Sequence, residues 1–248
     1  MNPVVKLHFP EPSIAVVVLE DRASSNTFSR ELIAGLMEAF HQIHQNETLK
    51  AVIIHGYDNY FCCGGTKEEL LKIYLGKITF ADLPFYRLLL DCEIPTIAAM
   101  QGHALGGGLA FGCYADWVIL GEECLYSANF MKYGFTPGMG ATYMIPKKFG
   151  ELLAHEMLFS AQNYHGKTLK ARGALVNIVE KKAVIQTAMN LAKELADKPR
   201  NSLIVLKKHL TQKIKQELPQ VIEQELAMHR ITFTGQEVKE RIEALFGR

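Results

Sequence analysis

Three consecutive glycines, Gly106, Gly107 and Gly108, stand in the stretch QGHALGGGLAFG at 101–112. An apolar run over Ile94–Met100 precedes them and another over Leu109–Tyr114 follows. Such a run costs backbone entropy and suits a place where something approaches the main chain closely. A helix that starts there leaves its first N–H groups unpaired and carries partial positive charge at that end. The chemistry on offer is a hold on an anion, or on an oxygen that becomes anionic during reaction. The same glycines also fit a tight strand-to-helix crossing in any α/β protein. Neither GxGxxG nor GxxxxGK[ST] is matched, so dinucleotide and P-loop readings gain no support. A second glycine pair lies upstream, where Ala51–His55 runs through Gly56–Phe61 into Cys62-Cys63-Gly64-Gly65-Thr66-Lys67-Glu68-Glu69. Two strand ends, each followed by glycines and then a helix, can place two backbone N–H groups on one oxygen atom.

The elements that must position these glycines read as alternating strands and helices. Val4–Phe9 and Ile14–Leu19 form a hairpin around Pro10-Glu11-Pro12. Ser29 caps a helix over about 30–44, whose apolar stripe is Leu32, Ile33, Leu36, Met37, Phe40 and Ile43. Glu68–Tyr74 is helical, Leu75–Pro84 is looser, and a helix near 85–91 precedes Ile94–Met100. The alternation continues through Trp117–Leu120 to about Val179 and argues for β/α units around a largely parallel sheet. Beyond it the pattern is purely helical, over Val184–Ala196, Asn201–Gln216, Pro219–Thr232 and Gln236–Phe246.

At 248 residues the chain can bury a sizeable core. We expect an α/β core over 1–195 and a helical region over 196–248. The balance of 27 Lys+Arg against 26 Asp+Glu gives no global bias toward nucleic acid or a membrane surface. No basic leader followed by a long apolar run is present and no segment reaches transmembrane length, so a cytoplasmic location is expected. Five cysteines without a CxxC pair suit a reducing compartment. Cys62-Cys63 reads either as a small apolar packing pair or as a reactive thiol. The cations at 167, 170, 172, 181 and 182 read as a solvated face, with the phosphates of CoA or of a carrier protein's prosthetic arm as the alternative.

FCCGGTKEEL at 61–70, IPTIAAMQGHALGGG at 94–108, YADWVIL at 114–120 and YGFTPGMGATYMIPKKFG at 133–150 resemble the enoyl-CoA hydratase/isomerase (crotonase) superfamily in order and spacing. The resemblance implies a crotonase-type spiral of ββα units with a C-terminal helical trimerisation region. It also implies a homotrimer, with the pairing of two trimers into a hexamer as the alternative. Carried over by position, the N–H groups of Gly65 and Gly107 form the oxyanion hole for a thioester carbonyl, flanked in the substrate site by Cys63, Gly64 and Gly106. Hydratases of the family carry two glutamates where this chain has Ala110 and Phe130. No Asp or Glu occurs between Ala128 and Gly150. Water addition needs a general base and a general acid, and isomerisation by the family's usual route needs a carboxylate. One reaction needs little beyond the oxyanion hole. If the substrate itself carries a carboxylate, loss of CO2 sends electrons into the thioester, and two aimed N–H donors favour that transition state. Ala110 and Phe130 would then make an apolar floor.

A closer resemblance is carried by FCCGG, DCEIPTIAAMQGHALGGG, ANFMKYGFTPGMGAT, LADKPRNSL and VIEQELAMH. These stretches look like the decarboxylating crotonase-fold enzymes of polyketide β-branching. Such enzymes convert a 3-methylglutaconyl group on an acyl carrier protein to 3-methylcrotonyl or its β,γ isomer. Their lysine–histidine pair maps onto Lys77, which would anchor the leaving carboxylate, and His229, which would deliver a proton. Lys72 is the alternative anchor, with Tyr74 and Tyr86 as further neighbours in the substrate site. By type alone, Lys77 is equally a solvated loop lysine and His229 a packed or surface residue. The resemblance implies no metal and no cofactor beyond the phosphopantetheine or CoA that carries the substrate. Two other functions stay open, an isomerase or hydratase with displaced catalytic residues and a non-catalytic carrier-protein-binding subunit.

Overall fold

The computed structural model describes residues 3–82 and 84–246. Leu83, in the loose stretch expected over Leu75–Pro84, and the outermost residues of the two expected regions lie outside the described residues. The first strands are β1 (Val5–Glu11), β2 (Ile14–Leu19), β3 (Ala51–His55) and β4 (Tyr60–Cys62). They are followed by β5 (Thr96–Met100), β6 (His103–Leu105), β7 (Trp117–Gly121), β8 (Leu125–Ser127), β9 (Tyr164–His165) and β10 (Asn177–Val179). Between and after them run α1 (Arg30–Gln45), α2 (Lys67–Tyr74), α3 (Leu88–Asp91), α4 (Gly107–Cys113) and α5 (Ala141–Phe149). The later helices are α6 (Glu151–Ser160), α7 (Gly166–Ala171), α8 (Val184–Ala196), α9 (Arg200–Thr232) and α10 (Gln236–Leu245).

One sheet has the order β1-β2-β3-β5-β7-β10, and a smaller one has β4-β6-β8-β9. Strands β3, β5 and β7 each hand the chain to a strand of the smaller sheet and then to a helix or helical turn. That is the expected ββα repeat. The short strands β4, β6 and β8 escape a reading by periodicity because three residues are too few to show alternation. Their sheet is nevertheless decisive for the site. β4 and β6 pair in parallel, with Cys62 opposite Ala104, so both leave the sheet on the same edge and deliver the two glycine stretches side by side.

The inner strands of the larger sheet are buried on both faces. Ile14, Val16, Ala51, Ile53, Ile97, Ala99 and Ile119 point to one side, where Val184, Ala188 and Ala192 of α8 lie against them. Ala15, Val17, Val52, Ile54, Ala98, Met100, Val118 and Leu120 point to the other side, into the core shared with α1 and α4. Alternate residues thus serve opposite layers, as the pleat requires. The expected caps are present: Ser29 accepts from the Leu32 N–H, and Thr66 accepts from the Glu69 N–H.

The hairpin turn is tighter than expected, because β1 runs on through Pro10 to Glu11. Two of the expected helices are one. Asn201–Gln216 and Pro219–Thr232 belong to the continuous α9, which carries Pro219 inside it. An interior proline costs about 3 kcal/mol relative to alanine. Here Leu218, Glu225 and His229 are buried by the same helix, and that packing outweighs the lost N–H. The first half of α9 is fastened by Lys207, whose buried ammonium meets Asp116 at 2.8 Å and the carbonyls of Leu89 and Ile94 at 3.0 Å.

Candidate active site

The two glycine stretches touch. A Cβ built on Gly64 would lie 2.9 Å from the Leu105 carbonyl oxygen and 3.1 Å from the Gly107 nitrogen. Gly64 also has φ +80°, a conformation that side chains rarely adopt. Gly106, at φ 54°, turns the chain into α4. Gly107 is the first residue of that helix, so its N–H has no intrahelical acceptor. The Gly65 N–H donates to nothing among the described residues. Both free donors border one cavity, together with Cys63, Gly64 and Gly106. The positions expected to form an oxyanion hole are therefore brought together.

Aromatic rings make most of the remaining wall, among them Phe28, Phe80, Phe85, Phe130, Phe135 and Phe246. Phe130 stands where expected. Ala110 does not: it is fully buried within α4, in the hydrophobic core, and is absent from the wall. Tyr86 is also outside the cavity, buried with its ring 5.6 Å from that of Tyr114. Cys63 lines the cavity, but burial raises its thiol to about 11, which keeps it protonated and unreactive at neutral pH. Burial raises the Cys62 thiol as well. The raised thiols favour the packing reading of the pair over the reactive one.

His229 lies in a neighbouring cavity with Ile73, Tyr74, Gly76, Ile78, Thr79 and Phe233. Phe80 belongs to the walls of both, with its ring 5.1 Å from the imidazole. The Nε2 of His229 is 2.8 Å from the Thr136 carbonyl oxygen, which can only accept, so Nε2 carries the hydrogen. Nδ1 is buried without a hydrogen-bond partner among the described residues. Burial pushes the imidazole pKa below its ordinary value, against the carbonyls of Thr136 and Pro137, and the resting ring is neutral.

One turn earlier on α9, the buried Glu225 accepts from the N–H groups of Gly140 at 2.7 Å and Thr142 at 3.0 Å, and from the Thr142 hydroxyl. It thereby caps α5, whose own N-cap residue is a glycine. Lys77 is exposed and lines neither cavity, although Gly76 and Ile78 on either side of it line the cavity of His229. Its ammonium makes no hydrogen bond or ion pair among the described residues. Lys72 is instead paired with Glu68 at 2.6 Å. Tyr74 is half-buried beside His229. The more distant cations behave as a solvated face: Lys170 pairs with Glu122, Arg172 with Glu156, and Lys182 with Glu180.

Three polar wall residues escaped the sequence reading. Glu69 completes a Thr-x-x-Glu cap, and burial raises its pKa despite the Thr66 N–H it accepts. Tyr133 and Asn129 belong to the helical turn Asn129–Tyr133, and both line the cavity. The available signal was a lone carboxamide beside Phe130, in a stretch without Asp or Glu.

The enoyl-CoA hydratase/isomerase family pattern matches residues 10–246. The chain belongs to this family. It is 53% identical over 244 residues to bacillaene synthase decarboxylase PksI of Bacillus subtilis (strain 168), covering 98% of each chain. A solved structure from a dehydratase/decarboxylase enzyme couple involved in polyketide β-branching superposes with a TM-score of 0.97 at 53% identity, over 99% of this chain and 100% of that one. The ECH2 decarboxylase domain of CurF from Lyngbya majuscula gives 0.94 at 41% identity, over 98% and 99%. Human mitochondrial methylglutaconyl-CoA hydratase is 28% identical over 248 residues, covering 96% of this chain and 72% of that protein. Family membership is thus shared with hydratases, while the nearer likeness is to decarboxylases.

A Gly108→Ala substitution tests how tightly the two glycine stretches are locked. The new Cβ would fall inside the Cys62 carbonyl. Separating the two backbones should cost about 3 kcal/mol of stability, read by thermal denaturation, and lower turnover with it.

Proposed function

We propose that the protein decarboxylates a 3-methylglutaconyl thioester carried on an acyl carrier protein, giving 3-methylcrotonyl or its β,γ isomer in polyketide β-branching. The observation that carries this reading is the pairing of two free backbone donors, Gly65 and Gly107, in a wall that holds Phe130 where a hydratase needs a carboxylate.

The thioester oxygen sits between the two N–H groups. The bond from the γ carbon to the carboxylate breaks, CO2 leaves, and its electron pair passes through the double bond to the thioester oxygen as a dienolate. Electron flow ends on the substrate itself, so the step draws on no further cofactor. Lys77, an exposed cation between two residues that line the His229 cavity, anchors the carboxylate as a point charge. Since Lys72 already has a partner, it is the weaker candidate. At His229, Nε2 is committed to the Thr136 carbonyl, and Nδ1 is the free atom. An entering carboxylate favours the imidazolium, so Nδ1 takes up a proton on substrate binding and gives it to the dienolate after CO2 has gone.

The carrier protein is the proposed partner. Val205, Leu206 and Leu210 leave an exposed apolar row on the first half of α9, which suits burial against further copies in a homotrimer or a hexamer. No described helix is long and apolar enough to cross a membrane, and the proposed place of work is the cytoplasm.

Mass spectrometry of the 3-methylglutaconyl carrier protein after incubation with the enzyme tests the reading. Loss of one CO2 is expected. Water addition or a shifted double bond with the carboxyl retained would mean a hydratase or isomerase, and an unchanged acyl group would mean a binding subunit.

A further inference from the structure

Asn129 opens the helical turn that follows β8, and its side chain lies in the wall of the oxyanion cavity beside Gly106 and Gly107. The carboxamide makes no hydrogen bond among the described residues. Its Oδ1 is 2.6 Å from where a Cβ would sit on Gly106, so it fills room that only a glycine leaves there. A half-buried amide without a protein partner keeps hydrogen-bonding capacity that a ligand entering the cavity can meet. A half-turn of the carboxamide exchanges its two ends, so either its oxygen or its NH2 can face the cavity.

We propose that the Asn129 carboxamide is a third donor to the thioester oxygen, its Nδ2–H joining the N–H groups of Gly65 and Gly107. Asn129 is then a catalytic residue, sharing the charge that collects on the oxygen as the dienolate forms. This rests on the decarboxylation reading and adds a contact to it. The thioester end is assigned because Asn129 abuts the glycine next to the Gly107 donor. Lys77 instead stands between Gly76 and Ile78, which line the other cavity, and Phe80 belongs to the walls of both. A neutral donor also suits this place, since it stabilises the developing charge without binding the substrate's own carboxylate as an ion pair would.

The test compares two probes by calorimetry: 3-methylcrotonyl pantetheine, and the 3-methylbut-2-enyl thioether of pantetheine, which lacks the carbonyl oxygen. Asn129→Ala should weaken the thioester about 10-fold and leave the thioether unchanged. It should also lower kcat for CO2 release about 10- to 100-fold with the product isomer ratio unaltered. Asn129→Asp keeps the shape but replaces the donor with an anion. It should lose more at neutral pH and recover part of the loss as the pH falls and the new carboxyl protonates. Equal weakening of both probes, no weakening of either, or a loss confined to substrates bearing the carboxylate would each overturn the assignment. The probe pair needs no turnover, so it judges this contact separately. A wild-type enzyme that releases no CO2 would instead overturn the decarboxylation reading.

Discussion

Gly107→Pro should yield a folded protein whose CO2 release is lowered about 100- to 1,000-fold, the usual cost of losing one oxyanion donor. Proline suits the first position of a helix, since its fixed φ is helical and the N–H it lacks has no intrahelical partner there. Residue 107 opens α4, so the helix survives while the donor is lost. The added Cβ would stand 3.0 Å from the Phe28 ring and 3.1 Å from the Met139 sulfur, contacts that flexible side chains relieve by a few tenths of an ångström. Rates of CO2 release, alongside thermal denaturation to confirm folding, decide the matter. A folded Gly107→Pro protein at wild-type speed would remove the premise of the mechanism.

The second large effect separates the two polar side chains. Lys77→Ala should lower kcat for CO2 loss about 100-fold, because the leaving carboxylate is no longer held in line, and should weaken substrate binding. His229→Ala should still permit electron flow to the thioester but misdirect the quench. Protonation at the γ carbon gives 3-methylcrotonyl, and protonation at the α carbon gives the unconjugated isomer. In D2O, the His229→Ala product should show an altered deuterium position or isomer ratio, whereas Lys77→Ala should leave both unchanged. An isomer ratio that follows Lys77 would mean that the roles are exchanged. Two fully active variants would direct attention to Tyr74.

The glycine stretches were legible because their chemistry is carried by backbone, and glycine type and spacing report backbone directly. The six-stranded sheet was equally legible, since runs such as Ala51–His55 and Thr96–Met100 are buried on both faces and read as continuous apolar stretches. The smaller sheet was not, and it is what places Gly65 beside Gly107. The cavity wall was read only in part. Phe130 was found by position, whereas Ala110 and Tyr86 were assigned to a wall that they do not reach. Direction along a helix or turn decides that, and spacing to a motif does not encode it. Asn129 lies inside a matched stretch but was not singled out, since one carboxamide gains meaning only from what surrounds it. Pro219 misled because local propensity argues for a break there, while the burial that overrides it is tertiary.

Glu225 sits on a long lever. From Lys207 to His229 is 22 residues of α9, or about 33 Å of rod at 1.5 Å per residue. A swing of about 2° at the Lys207 end would carry the imidazole roughly 1 Å, an error of the size that costs about 100-fold in a reaction dependent on alignment. The Glu225 carboxylate holds Gly140 and Thr142 at the start of α5, directly after the loop whose Thr136 carbonyl receives the Nε2 hydrogen. The histidine is thereby registered to its immediate surroundings and not to the distant anchor. Angular play in the rod then moves ring and loop as one body, and the aim of Nδ1 within its cavity is preserved.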